Sequence, residues 1–536
     1  MEPTVVASTR LPLSIVSLLL AAGTLLAITL HRFLTIDYDP REPPVIKPRI
    51  PYIGHILGII KYGTKYFEIV NRETQYPIYT LPTLSTRQYI VTSPQIAGQL
   101  QRQHKDLAFY NIILEVTRRL TNLNQSTMKI VMKNVNGEHG DWGLMPTMHN
   151  MINTVLGRGE SLKDLTRSQM LIFSEMLNKI AVADDCFETD LFQWIKSVFT
   201  LANSNSIYGP ENPFAVDPSL VNAFWDFEAG MLNLIIDIFP SVTARKAHLG
   251  RERVSKGLVD YVREKRYQKA SLLIQKRIGI NLGHGFTEAE AGRSEIILLF
   301  AILGNAVPST FWVIANIISR PELLAEIRHE LETAIEDEEN GNKSINLSIV
   351  ESSCPLFVST YRETLRTIGN LASLRYVLND TIVGKHYLKK DSIIQMAGII
   401  IHHDPQTWGQ DSERFNPRRF IKSQEPRANT EELTESDVKE LAATQLPEGV
   451  PSAAFRLFGG GSVVCPGRHF AQSEILGFVT YLLMAFDMTR PDGTTLRRPL
   501  RDDEKIPLSV IKPKEDVKIR IRRRKGFENT LWWLKA

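Results

Sequence analysis

The stretch from Thr287 to Ser319 constrains this chain most. Thr287 and Glu290 make a T-x-x-E capping box. The run IILLFAILGNAVPSTFWVIANIIS follows, and Arg320-Pro321 then ends it. The pattern predicts about 32 residues of helix, apolar on nearly all sides. A helix with no polar face must run through the middle of the body, with other elements on every side. The rest of the chain can supply them. It has 536 residues, 43% hydrophobic and 23% charged, enough for a full core. A second, charged amphipathic helix is expected from Pro321 to about Glu338. Short β-branched runs at Thr381–Val383 and Val517–Ile521 predict minor sheets. Glu425 to Val450 is polar and acidic and reads as a surface insertion. The predicted fold class is mainly α with small β-sheets in one body. A net charge of +4 is too small to suggest nucleic acid as a partner. Three scattered cysteines, Cys186, Cys354 and Cys465, argue against a disulfide framework and for a reducing compartment.

Ahead of the body, Leu11 to Leu30 is a run of 20 residues without a charge. That length matches a bilayer core of roughly 30 Å. A cleaved signal peptide is the rival reading, but the run is longer than the usual apolar region and no clear cleavage site follows it. Residues 1–31 are therefore expected to be a retained single-span anchor. Arg32, Arg41, Lys47, Arg49, Lys61 and Lys65 follow it, which places the body on the cytosolic side. Residues 32–52 hold Pro40, Pro43, Pro44, Pro48 and Pro51 and read as an extended, semi-rigid linker. The catalytic body is expected over 53–536.

Near the C-terminus the chain reads FGGGSVVCPGRH, Phe458 to His469. A phosphate-binding role for the glycines fails, because no G-K-[ST] follows. Zinc would need more thiols or histidines than His469 alone. A buried structural cysteine is the plain alternative. A thiolate ligand to haem iron suits the stretch better. Glycines let backbone approach a flat ring, backbone N–H groups stabilise the sulfur anion, and a helix beginning after the cysteine adds its positive end.

Phe458-x-x-Gly461-x-x-x-Cys465-x-Gly467, extended by Arg468 and Ala471, resembles the haem-binding signature of cytochromes P450. Glu363-x-x-Arg366 resembles the family's E-x-x-R pair. Ser412 to Phe420, SERFNPRRF, resembles its P-E-R-F segment, with Arg414 expected as third member of a Glu–Arg–Arg network. The resemblance implies the family's mainly α fold with a small β region, behind one N-terminal transmembrane helix. It also implies haem b with an axial thiolate from Cys465, and Phe458, Gly461 and Gly467 as further haem-binding residues of the loop. Arg375 and His402 fall where the family often contacts the haem propionates. Two residues before the cysteine, Val463 replaces the family's usual basic residue. No convincing W-x-x-x-R element is found.

The central helix also departs from the family pattern. Gly304-Asn-Ala-Val-Pro-Ser-Thr-Phe-Trp312 lacks the usual acid and first threonine, and resembles a pattern in prostacyclin synthase and in sterol and bile-acid hydroxylases. Pro308 removes the partner of the Gly304 carbonyl, so a kink or widened turn is expected there. Asn305 and Ser309 are the candidate catalytic residues in place of the acid–alcohol pair, or Asn305 satisfies the freed carbonyl. The implied function is a monooxygenase using O2 and NADPH-derived electrons from NADPH–cytochrome P450 reductase. Its expected substrate is lipophilic, terpenoid- or steroid-like, in specialised-metabolite biosynthesis of fungal style. Its expected place is the endoplasmic reticulum membrane, single-pass, with the catalytic domain cytosolic. The alternative is a redox-neutral isomerase or dehydratase acting on an oxygenated substrate. Met231–Pro240, apolar, is expected either to meet the membrane or to end a core helix. The basic tail Arg520–Lys525 is expected to be an edge strand with solvated charges.

Overall fold

The computed structural model describes residues 34–536 except 85, 104, 136–141, 184–185, 371, 422–444 and 507, with single positions between 24 and 32. Most of the candidate span 11–30 and of the acidic insertion lies outside the described residues.

The predicted central helix forms over Glu288–Ile318, 31 residues, and the main hydrophobic cluster surrounds it. Thr287 Oγ1 accepts the Glu290 N–H at 3.2 Å. The other half of the capping box is diverted: Glu290 Oε2 accepts the Asn124 N–H at 3.3 Å instead. Pro308 sits inside a helix that remains α-helical on both sides, without a widened turn. The next helix is shorter than expected, Pro321–Leu331. Its expected last turns become a short 3-10 segment and the strand Ile335–Asp337, which pairs antiparallel with Lys343–Asn346. Strand pairing, invisible to helical periodicity, captures those residues.

The sheets are small. Five strands lie in the order Ile78–Thr83, Thr86–Val91, Ile393–Ala397, Ala372–Val377, Leu107–Ala108. All neighbours are antiparallel except the parallel pair Thr86–Val91 and Ile393–Ala397. The proline-rich segment is extended but docked on this sheet. Val45 bridges Thr80, Thr80 Oγ1 donates to the Pro43 carbonyl at 2.9 Å, and buried Glu42 pairs Arg87 at 3.1 Å. Lys518–Arg523 is the middle strand of a three-stranded sheet, between Phe486–Thr489 and Phe187–Asp190, which corrects the edge-strand expectation. Arg523 is buried there with its guanidinium 4.7 Å from the Phe486 ring centre.

The helix Arg468–Ala485 begins directly after Cys465-Pro-Gly and packs along the central helix and the long helix Glu160–Ala183. Tertiary packing thus sets the glycine loop at the head of a buried helix.

Candidate active site

Cys465 is held by its own loop. Its N–H donates to the Phe458 carbonyl at 2.7 Å, closing the loop Phe458–Cys465. Gly459 and Gly461 take φ of +74° and +66°, which side-chain-bearing residues rarely adopt. A Cβ on Gly461 would stand 2.8 Å from the Gln101 carbonyl oxygen, so the loop presses against the helix Pro94–Arg102. After the cysteine, Gly467 caps the helix, Arg468 N–H donates back to the Cys465 carbonyl at 3.4 Å, and the Arg468 guanidinium to the same oxygen at 3.1 Å.

The sulfur is both accessible and enclosed. Cys465 is exposed, yet surrounding protein pushes its thiol up, while the Gly467 N–H and the Arg468 charge pull it down. The two opposing donors favour the thiolate once a cation supplies the rest.

Behind the loop stands the expected Glu–Arg–Arg network, with a different third member. Glu363 and Arg366 are fully buried and paired twice, at 2.8 and 2.7 Å. Arg419, not Arg414, completes the set: its Nε donates to both Glu363 oxygens at 3.1 Å and its Nη1 to Asp411 at 2.9 Å. Arg414 contributes its backbone: its carbonyl accepts from Arg366 and Arg419, and its N–H donates to the Asp411 carbonyl at 2.8 Å. The signal lay in the same segment. SERFNPRRF holds two Arg-Phe pairs, and the second, Pro417-Arg-Arg-Phe420, carries the proline that the first lacks.

His402 links this network to the loop. Arg366 Nη1 donates to the His402 carbonyl. The ring Nδ1 lies 2.7 Å from the Gly369 carbonyl, and Nε2 accepts the Arg456 N–H at 3.0 Å. These partners force the Nδ1–H tautomer. Burial holds the ring neutral, with its pKa pushed down to about 3. Both ring nitrogens are engaged, so His402 has no donor left for a propionate; this corrects its expected role.

Arg456 had no part in the sequence reading, being a lone charge two residues before Phe458. All three of its guanidinium nitrogens are buried without an acceptor among the described residues. Arg375 is also buried; among the described residues its side chain donates only to the Leu374 carbonyl, at 2.7 Å, and it stacks 5.5 Å from the Phe109 ring centre. Burial lowers both pKa values to about 10, and the Arg375 charge repels Arg456 further. Two adjacent buried cations with no carboxylate between them are costly unless an anion joins them. The carboxylates of a haem fit that demand.

On the central helix, Ala301 is exposed, and Ile297, Phe300 and Asn305 are half-buried among buried neighbours. Their spacing puts them on one face, which borders open space and is apolar except for Asn305. Asn305 Oδ1 accepts the Val510 N–H at 3.1 Å, and no hydrogen bond from its Nδ2 to the Gly304 carbonyl is present among the described residues. Ser309 is buried and makes no side-chain hydrogen bond among the described residues.

A family model of cytochrome P450 matches residues 43–519. The chain is 29% identical over 503 residues to cytochrome P450 monooxygenase nodJ of Hypoxylon pulicicidum, covering 92% of each. It is 24% identical over 506 residues to the 7-alpha-hydroxycholest-4-en-3-one 12-alpha-hydroxylase of Homo sapiens, covering 90% of this chain and 93% of that one. Among solved structures, the retinoic acid bound cyanobacterial CYP120A1 superposes with a TM-score of 0.64 at 17% identity, covering 90% of this chain and 99% of that one. The fold is therefore that of CYP120A1, mostly helical with small sheets. With the match spanning nearly the whole body, the chain belongs to the cytochrome P450 family, as a monooxygenase using haem with a cysteine thiolate as axial ligand.

Proposed function

We propose that this enzyme hydroxylates a lipophilic, steroid- or terpenoid-like small molecule, with Cys465 as the axial ligand. The observation that carries the reading is the pair of buried guanidiniums of Arg375 and Arg456, neither with a carboxylate partner among the described residues. When bound there, haem supplies activation of O2 and insertion of one oxygen atom into a C–H bond. The protein's own contribution is positional. Cys465 gives the thiolate, steadied by the Gly467 N–H and the start of the helix Arg468–Ala485. Phe458 and Gly461 fix the loop, and Arg375 and Arg456 hold the two carboxylates. Ile297, Phe300 and Ala301 offer an apolar wall that excludes water from the substrate's reacting carbon. Asn305 and Ser309 are the polar groups available to hold a proton-carrying water there.

The substrate class draws on two supports. The wall is apolar, and a relative over 90% of the chain is named for a steroid substrate. The proposed setting is the endoplasmic reticulum membrane, with residues 11–30 as the anchor and residues 32–52 leading into the body. Electrons would come from NADPH–cytochrome P450 reductase. Ile236, Ile238, Phe239 and Val242 are exposed, Phe239 by 78%, which suits a body lying against lipid.

The test is the carbon monoxide difference spectrum of the reduced protein. A band near about 450 nm, lost in Cys465→Ser, is expected. Haem-loaded, folded protein without that band would overturn Cys465 as ligand. Turnover that needs neither NADPH nor O2 would overturn hydroxylation.

A further inference from the structure

Sequence patterning gives no role to Glu228 or to the segment Leu508–Lys512. In the structure they meet. Glu228 lies near the end of the helix Leu220–Ala229 and is buried, its side chain 4% exposed. Ser509 Oγ donates to Glu228 Oε1 at 3.1 Å, and Lys512 Nζ donates to Oε2. Between those residues, the Val510 N–H donates to Asn305 Oδ1 and the Ile511 carbonyl accepts Trp312 Nε1–H at 2.7 Å. Four consecutive residues of a strandless segment are thus gripped by two helices, the outer two by one and the inner two by the other. Residues 509 and 512 belong to Leu220–Ala229, and 510 and 511 to the central helix. The backbone N–H of Val510 can only donate, so the Asn305 amide is forced to turn its NH2 away from the segment. The Asn305 nitrogen has no hydrogen-bond partner among the described residues, and the residue is half-buried one helical turn from exposed Ala301.

The charges make the grip directional. Lys196, stacked 4.7 and 5.1 Å from the ring centres of Phe192 and Trp225, is the second cation near Glu228, and its pKa is lowered by burial and by the Lys512 charge. Asp190 and Asp226 also act on Lys196, more weakly than Glu228. Without the Glu228 charge, Lys196 and Lys512 would repel each other. Immediately beyond Ala229 the chain has the backbone of a joint: Gly230, then left-handed Asp237 and Phe239, at φ of +61° and +44°.

We propose that Glu228 is a positioning residue that couples the helix Leu220–Ala229 to the Ser509–Lys512 wall. It thereby fixes Asn305 as a hydrogen-bond donor into the substrate space and slows entry of bulky ligands until the pair parts. The inference rests on the haem-thiolate reading only for its ligand probe.

The experiment compares wild type with Glu228→Gln and with the milder Ser509→Ala. Hydrogen–deuterium exchange needs no cofactor: Glu228→Gln should speed exchange of peptides over 220–236 and 508–512 together, by about tenfold, through loss of a buried charge pair. In protein showing the 450 nm band, association of 4-phenylimidazole should rise about tenfold while that of imidazole changes less than about twofold. Pairing Glu228→Lys with Lys512→Glu should return both readouts toward wild type. Unchanged exchange at 508–512 in Glu228→Gln overturns the coupling. Equal acceleration of both imidazoles overturns the gating. Absence of the 450 nm band in folded, haem-loaded wild type faults the haem-thiolate reading instead, and exchange still decides the coupling.

Discussion

Arg419 Nε stands 3.1 Å from both carboxylate oxygens of Glu363, and both side chains are buried. Arg366 takes the other side of the same carboxylate and reaches the His402 backbone. His402 in turn receives the Arg456 N–H. A chain of hydrogen bonds therefore runs from the Glu363 ion network to the residue that precedes the cysteine loop by two positions.

Arg419→Ala leaves Glu363 half-paired in the interior. Loss of about 3–5 kcal/mol of stability, with little haem-loaded protein recovered, is expected. Arg414→Ala removes a side chain that makes no hydrogen bond or ion pair with the network among the described residues and should stay within about 0.5 kcal/mol of wild type. Chemical denaturation with haem content checks both; equal effects of the two changes would show that Arg419 is not the third member.

Arg456→Met should act in opposite directions on the two forms. It removes an uncompensated buried cation, so the haem-free protein should gain about 1–3 kcal/mol. The haem-loaded protein should release haem to a scavenger about tenfold faster, because one carboxylate loses its charged partner. Faster unfolding of both forms would mean that the guanidinium serves the fold alone.

His402→Ala removes the acceptor for the Arg456 N–H and the donor to Gly369. It should cost about 2–4 kcal/mol through two buried orphan groups. His402→Asn, which can both accept and donate, should recover part of that. Retention of full stability and haem content in His402→Ala would remove it from the support of Arg456.

Glu474 is buried, accepts Gln169 Nε2–H at 2.8 Å and Asn203 Nδ2–H at 3.1 Å, and has its pKa pushed up by burial to about 7. The folded value lies above the ordinary carboxylate value of 4.5, so the folded state prefers the protonated acid. Its stabilisation is full below about 4.5 and is lost as pH rises through about 7. Glu474→Gln stays neutral and keeps an acceptor for both amides. Its stability relative to wild type should rise between pH 5 and 8, by up to about 3 kcal/mol. A flat difference across that range would show that Glu474 is ionised in the folded state throughout.

The residues whose role is local were legible from sequence. The central helix follows from Thr287 and an apolar run longer than any surface helix has. The position of Cys465 follows from glycines, which take φ of +74° and +66° without strain, and from the helix that starts after Gly467. Chain order alone also set Glu363 beside Arg366, one helical turn apart. What needed tertiary structure were partners far apart in sequence. Two Arg-Phe pairs five residues apart offer the same chemistry, and only packing brings Arg419 to Glu363. Strand pairing takes Ile335–Asp337 from a helix and puts Lys518–Arg523 in the middle of a sheet. The ring nitrogens of His402 are spent on Gly369 and Arg456, 33 and 54 residues away. Local chemistry is written in short spacings; the satisfaction of buried charges and ring nitrogens depends on which distant groups the fold brings within 3 Å or so.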